Sequence, residues 1–162
     1  MIRKSGVKRI VMLGLAGSWV ALLITASFAQ DEPPGFVQVL PSTIRWRPSP
    51  AVPGSYVAVL LGNPQEGPFV IRLKLPPGAR VMPHTHSQAR TYTVLAGEWK
   101  LGFGERYDAA ALHSFPPGSL YRLPAKVPHF QAAGPVETIV QIDSVGPSST
   151  DFMNPLDDAR RR

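Results

Sequence analysis

The chain has 162 residues, seventeen Lys and Arg against eleven Asp and Glu for a formal charge of +6, and no cysteine. That length suits one domain with a proper core, and the missing thiols exclude disulfide staples, thiol catalysis and a cysteine-linked lipid anchor. The positive charge sits at the ends: Arg3, Lys4, Lys8 and Arg9 open the chain and Arg160, Arg161 and Arg162 close it, so the part between them carries about −1 and a basic nucleic-acid-binding domain is not supported.

In chain order, the four leading cations precede an apolar run from Ile10 to about Ala26 that ends in Ser27-Phe28-Ala29, a small-x-small pattern suited to cleavage after Ala29. This reads as a secretory signal peptide over 1–29; the run is short for a spanning anchor and holds Gly14, Gly17 and Ser18. The expectation is an exported protein, periplasmic or secreted, with no stable membrane insertion after cleavage. Residues 30–41, around Asp31-Glu32-Pro33-Pro34-Gly35, read as a flexible lead-in.

From there eighteen prolines and fourteen glycines punctuate short runs rich in β-branched and aromatic residues, the pattern of an all-β sandwich or barrel. The expected strands are 43–47, 56–61, 69–75, 80–82, 90–95, 98–103, 119–123, 127–132 and 137–143. Ala96-Gly97 suits a tight hairpin turn, and residues 108–112 suit one helical turn capped by Asp108. The barrel domain is expected over 42–145, and residues 146–162 as an extended tail.

Three of the four histidines form one pattern: His84-Thr85-His86, and His129 forty-three residues later. Imidazole is the commonest protein ligand for a transition metal, and residues two apart on a strand share a face about 6.6 Å apart along the chain, so both rings can meet one ion. The pair alone is a weak signal. Gly78, with five residues between it and His84, Gly97, and the Pro128-His129 step in a turn-like run strengthen it.

These residues resemble the two short motifs of the cupin superfamily, a small jelly-roll β-barrel whose lumen commonly holds one metal ion. The first motif runs glycine, five residues, HxH, three or four residues, glutamate, six residues, glycine; Gly78, His84, His86 and Gly97 stand at the matching places. In the second, Pro124 and His129 match, while Lys126 and Ala133 replace a glycine and an asparagine. The span 42–152 further resembles a group of small exported single-domain cupins, notably in Gly67-Pro68-Phe69-Val70-Ile71-Arg72-Leu73, Val127-Pro128-His129-Phe130 and Val140-Gln141-Ile142.

The chain departs from the resemblance where seven residues back from Gly97 stands Arg90 in place of the glutamate ligand. A guanidinium cannot ligate a cation, so the implied ligands are His84, His86 and His129, with positions open for water or substrate. Three nitrogen donors without a hard carboxylate favour Fe, Zn, Ni or Cu over Mg or Ca, with Fe first; a metal-free barrel with inherited histidines is the alternative. Arg90 either clamps a substrate carboxylate beside the ion or reaches out of the lumen to a surface carboxylate. Tyr92 shares its face by alternation and either assists proton transfer or is core. Tyr92 and Phe130 are read as lumen-facing, Gln88 as a weak neutral donor in a turn, His113 as an exposed loop residue and Glu98 as solvated.

Two functions are compatible with these residues. One is a metal-dependent, dioxygenase-like enzyme on a small organic acid or phenolic compound, with Arg90 and Tyr92 as its candidate catalytic residues. The other is a non-catalytic module that binds a small molecule or a metal. The resemblance also implies a homodimer.

Overall fold

The computed structural model describes residues 33–161. The signal peptide expected over 1–29 and the first part of the lead-in lie outside the described residues. Residues 33–37 belong to a unit of their own, in which the Phe36 amide donates to the Pro33 carbonyl at 3.0 Å.

Residues 38–161 form eleven strands: β1 Arg47–Pro48, β2 Tyr56–Asn63, β3 Glu66–Leu75, β4 Arg80–Thr85, β5 Arg90–Ala96, β6 Trp99–Phe103, β7 His113–Phe115, β8 Leu120–Leu123, β9 His129–Ala133, β10 Thr138–Gly146 and β11 Asp151–Phe152. They build two antiparallel sheets, one in the order β1-β2-β3-β10-β5-β8 and the other β11-β4-β9-β6-β7. This is an all-β, cupin-type jelly roll: strands distant in sequence lie side by side, and the two sheets face each other across the core.

Alternation sets what enters that core. On β5 the buried residues are Arg90, Tyr92 and Val94, and on β10 they are Thr138, Val140 and Ile142. Leu75, Val81, Val94, Trp99 and Val140 pack as one apolar cluster, and Tyr92, Leu123 and Ile142 as another. Gly97 turns β5 into β6 at φ +73°, and a Cβ there would stand 2.4 Å from the Glu137 carbonyl oxygen, so glycine is required twice over.

Three features differ from the sequence reading. The expected strand over 43–47 is reduced to Arg47–Pro48, and a 3-10 turn occupies Pro41–Thr43; Pro48 and Pro50, lacking amide protons, restrict pairing there. His113 lies on the short edge strand β7, exposed as expected but paired opposite Leu101. The segment after Gly146, expected as an extended tail, folds back. Asp151 and Phe152 pair with Thr85 and His84 of β4, and the Met153 amide donates to the Pro83 carbonyl at 2.9 Å. Asp158, nearly buried, receives Arg160 Nε at 2.6 Å and Nη2 at 2.8 Å, while the same Nη2 donates to the Thr150 carbonyl at 2.7 Å. The helical turn near Asp108 is a 3-10 turn over Ala109–Ala111, with the Asp108 carboxylate accepting from the Ala110 amide.

Candidate metal centre

A register shift on β4 is what brings the histidines inward. Val81 lies opposite Gln131 of β9 and His84 opposite His129, so three steps on β4 match two on β9. The extra residue falls at Met82-Pro83 and reverses the parity of the strand. Val81 and His84, which simple alternation would place on opposite faces, therefore both face the lumen, and His86 follows His84 two residues later. The direct pairing of His84 with His129 sets their ring centroids 4.1 Å apart.

The outer nitrogen of each ring is tied to a main-chain carbonyl. His84 Nδ1 lies 2.7 Å from the Met82 oxygen, His129 Nδ1 2.9 Å from the Val127 oxygen and His86 Nδ1 3.0 Å from the Ser149 oxygen. A carbonyl only accepts, so each Nδ1 carries the proton and each Nε2 presents a lone pair. The ring nitrogens gather within 4.8 Å of one another. His84 Nε2 and His86 Nε2 face each other at 3.2 Å with no proton to share, and His129 Nε2 is buried with no hydrogen-bond partner among the described residues. Three convergent lone pairs, one of them orphaned, repel each other unless a cation lies between them. Carbonyl-held imidazoles of this kind are the usual companions of a bound transition metal, so the donor set fits one such ion.

Burial keeps the rings neutral. Desolvation, with the His129 ring and Arg90 adding to it, lowers His84 to about 3; desolvation and then Arg90 lower His129 to about 4; and desolvation followed by Arg90 pushes His86 well below the ordinary histidine range. Neutral imidazole is the form that binds metal.

Arg90 lines the same space. It is 8 % exposed, its Nη2 donates to Ser148 Oγ at 2.8 Å and to the Ser149 carbonyl at 3.1 Å, and its Nε is buried without a partner among the described residues. It does not reach a surface carboxylate: among the described residues it forms no ion pair. Tyr92, 1 % exposed, places its hydroxyl 3.2 Å from His86 Nε2 and stacks on Tyr121 at 4.8 Å and 9°. Below it, the Tyr121 oxygen accepts from Trp99 Nε1 at 2.9 Å and Gln131 Nε2 at 3.2 Å.

His84, His86, Arg90 and Tyr92 open onto a cavity of about 170 Å³ whose other walls are mainly Val52, Phe69, Ile71, Leu73, Val81 and Phe152. A space of about 150 Å³ holds a benzene-sized molecule. Gln131, Ser148 and Thr150 add polar edges. Phe130, read from sequence as lumen-facing, does not line this cavity. It follows His129 directly and so takes the opposite face of β9, where it packs on Tyr107 and over Gly102. Gln88 is absent from the lining, and Glu98 pairs with Lys100 at 3.5 Å away from it. The sequence reading missed the contribution of Ser148, Ser149, Thr150 and Phe152; their signal was a run of hydroxyls before an aromatic.

Solved structures share the fold at low identity. The polyketide cyclase RemF from Streptomyces resistomycificus superposes with a TM-score of 0.64 at 16% identity over 78% of this chain and 91% of its own. An acetylacetone dioxygenase from Acinetobacter johnsonii gives 0.57 at 15% over 80% and 84%, and an RmlC-like cupin from Shewanella frigidimarina gives 0.53 at 15% over 66% and 87%. A search of curated proteins returned no match. The model of the ChrR cupin-like domain family matches residues 35–147, most of the chain, and the protein belongs to that family of cupins.

Proposed function

We propose that this protein is a mononuclear metal cupin that acts, outside the cytoplasm, on a small organic acid or phenolic compound. His84, His86 and His129 would hold a divalent transition metal, iron in the first place and zinc, nickel or copper otherwise. Such an ion supplies Lewis acidity or, for iron, dioxygen chemistry.

The observation that carries the reading is a buried Arg90, with no carboxylate partner among the described residues, that lines one small cavity with His84 and His86, whose ring nitrogens gather with that of His129. A divalent ion next to a guanidinium needs an anion between them. Arg90, fixed by Ser148 and Ser149, is positioned to bind that anionic group, and the apolar walls exclude water and accept a short hydrocarbon or aromatic body. Tyr92, its hydroxyl 3.2 Å from His86 Nε2, adds a polar group beside the histidines. A dioxygenase and a polyketide cyclase share this fold, so the fold is one that carries enzymes.

A second reading, a binding module without turnover, is favoured by the scarcity of acid-base groups: among the described residues no carboxylate lines the cavity. The two separate in one experiment. Elemental analysis of chelator-free protein should find about one equivalent of metal, lost in a His84→Ala, His86→Ala double variant. Metal unaltered in that variant sinks the metal reading. With metal established, oxygen consumption on small carboxylates and phenols supports the enzyme, whereas saturable binding without product, weakened in Arg90→Gln, supports the module.

A further inference from the structure

We infer that Tyr92 supplies a fourth protein ligand, its phenolate oxygen, to the ion held by the three histidines; this rests on the metal reading above. The distances carry it. Two ligands each about 2.1 Å from one ion, at an angle between about 90° and 110°, lie about 3.0–3.4 Å apart. His84 Nε2 to His86 Nε2 is 3.2 Å, and His86 Nε2 to the Tyr92 oxygen is also 3.2 Å. The phenol oxygen thus stands from a histidine ligand atom at the same separation as a second histidine does.

Hydrogen bonding points the same way. His86 Nδ1 holds its proton against the Ser149 carbonyl, so Nε2 has one lone pair. Without metal that lone pair accepts the Tyr92 hydroxyl. A metal ion takes it, and Tyr92, 1 % exposed, is left with a buried donor and no other acceptor among the described residues. Coordination through oxygen resolves this: the phenolic O–H bond breaks, the proton leaves to solvent, and the oxygen lone pair forms the bond to the ion. Among the described residues no carboxylate lines the cavity to offset the ion and Arg90, and a phenolate removes one of the three positive charges. Tyr92 also replaces the missing ligand from the same strand. Arg90 occupies the position where the resemblance places a glutamate, and Tyr92 is the next inward residue of β5, its longer side chain held in line by the Tyr121 ring.

The test is spectroscopic and needs no substrate. Protein loaded with a ferric salt should develop an intense visible phenolate-to-iron charge-transfer band, with phenolate modes enhanced in resonance Raman spectra excited within it. Tyr92→Phe should keep about one equivalent of iron, lose the band completely and bind the metal about tenfold or more weaker in chelator competition. Wild-type protein that binds one equivalent of iron without the band, or a band that persists in Tyr92→Phe, overturns the inference and leaves the three-histidine site standing. Wild-type protein that binds no metal overturns both.

Discussion

Acid should weaken the metal-free protein well before its carboxylates titrate. In the unfolded chain a histidine takes up a proton near pH 6.5, but in the fold His84 does so only at about 3 and His129 only at about 4. Between those values the unfolded state binds more protons than the folded one, so stability falls as pH falls; above pH 6.5 neither state is protonated and the contribution vanishes. At pH 5 each of the two residues should have cost about 2 kcal/mol, about 4 together. His86, shifted in the same direction, adds to this. A domain of this size has about 5–15 kcal/mol in hand. Urea unfolding of chelator-treated protein should therefore show its midpoint falling steeply from pH 7 to pH 5, with little change from pH 7 to pH 8. Replacing His129 with Gln should flatten the curve. A midpoint independent of pH over 5–7 would refute the claim that three neutral imidazoles are buried side by side.

Further expectations follow from single contacts. Removing residues 147–162 takes away the Ser149 carbonyl that holds His86 and both partners of Arg90; metal affinity should drop about 10–100-fold in chelator competition, and an unchanged affinity would show that the segment plays no part in the centre. Gly102→Ala places a Cβ 2.3 Å from the Phe130 ring, which should lower stability by about 1–3 kcal/mol through overpacking; an unshifted thermal midpoint would contradict the packing described. Tyr121→Phe leaves the buried Trp99 and Gln131 donors without their acceptor, at about 1–3 kcal/mol each, and a loss under about half a kcal/mol in urea unfolding would show that both find other partners.

What the sequence made legible was local in origin. The HxH spacing and the flanking Gly78 and Gly97 report strand alternation and turn conformation, which neighbouring residues determine among themselves. The parity switch at Met82-Pro83 leaves no such trace, because it exists only in the pairing of β4 with β9. At Lys126, where the cupin motif has glycine, the backbone keeps the left-handed conformation with φ +64°, and its amide donates to the His86 carbonyl at 2.9 Å; the structural demand survived the change of residue. Phe130 was legible and misread, since adjacent residues on a strand cannot both face the lumen if His129 does. The closing segment was out of reach. Ser148 to Phe152 acts on residues about sixty positions earlier, and neither its length nor its hydropathy marks it as part of a sheet.

The exchange of a glutamate for Arg90 changes what the centre demands of its ligand. With a carboxylate in the ligand set, a divalent ion is half neutralised by the protein; with Arg90 the same place carries a positive charge instead, a difference of two units in a site walled mainly by apolar side chains. The histidines register that charge even without metal, since Arg90 helps to lower all three. An ion entering such a site meets repulsion that only anionic groups relieve, whether the Tyr92 phenolate, the bound small molecule or both. Metal and anion must then strengthen each other's binding by the same factor, because the coupling free energy between two ligands is shared. On the function proposed above, the site takes a pair rather than an ion alone, with a small acid as the anionic partner.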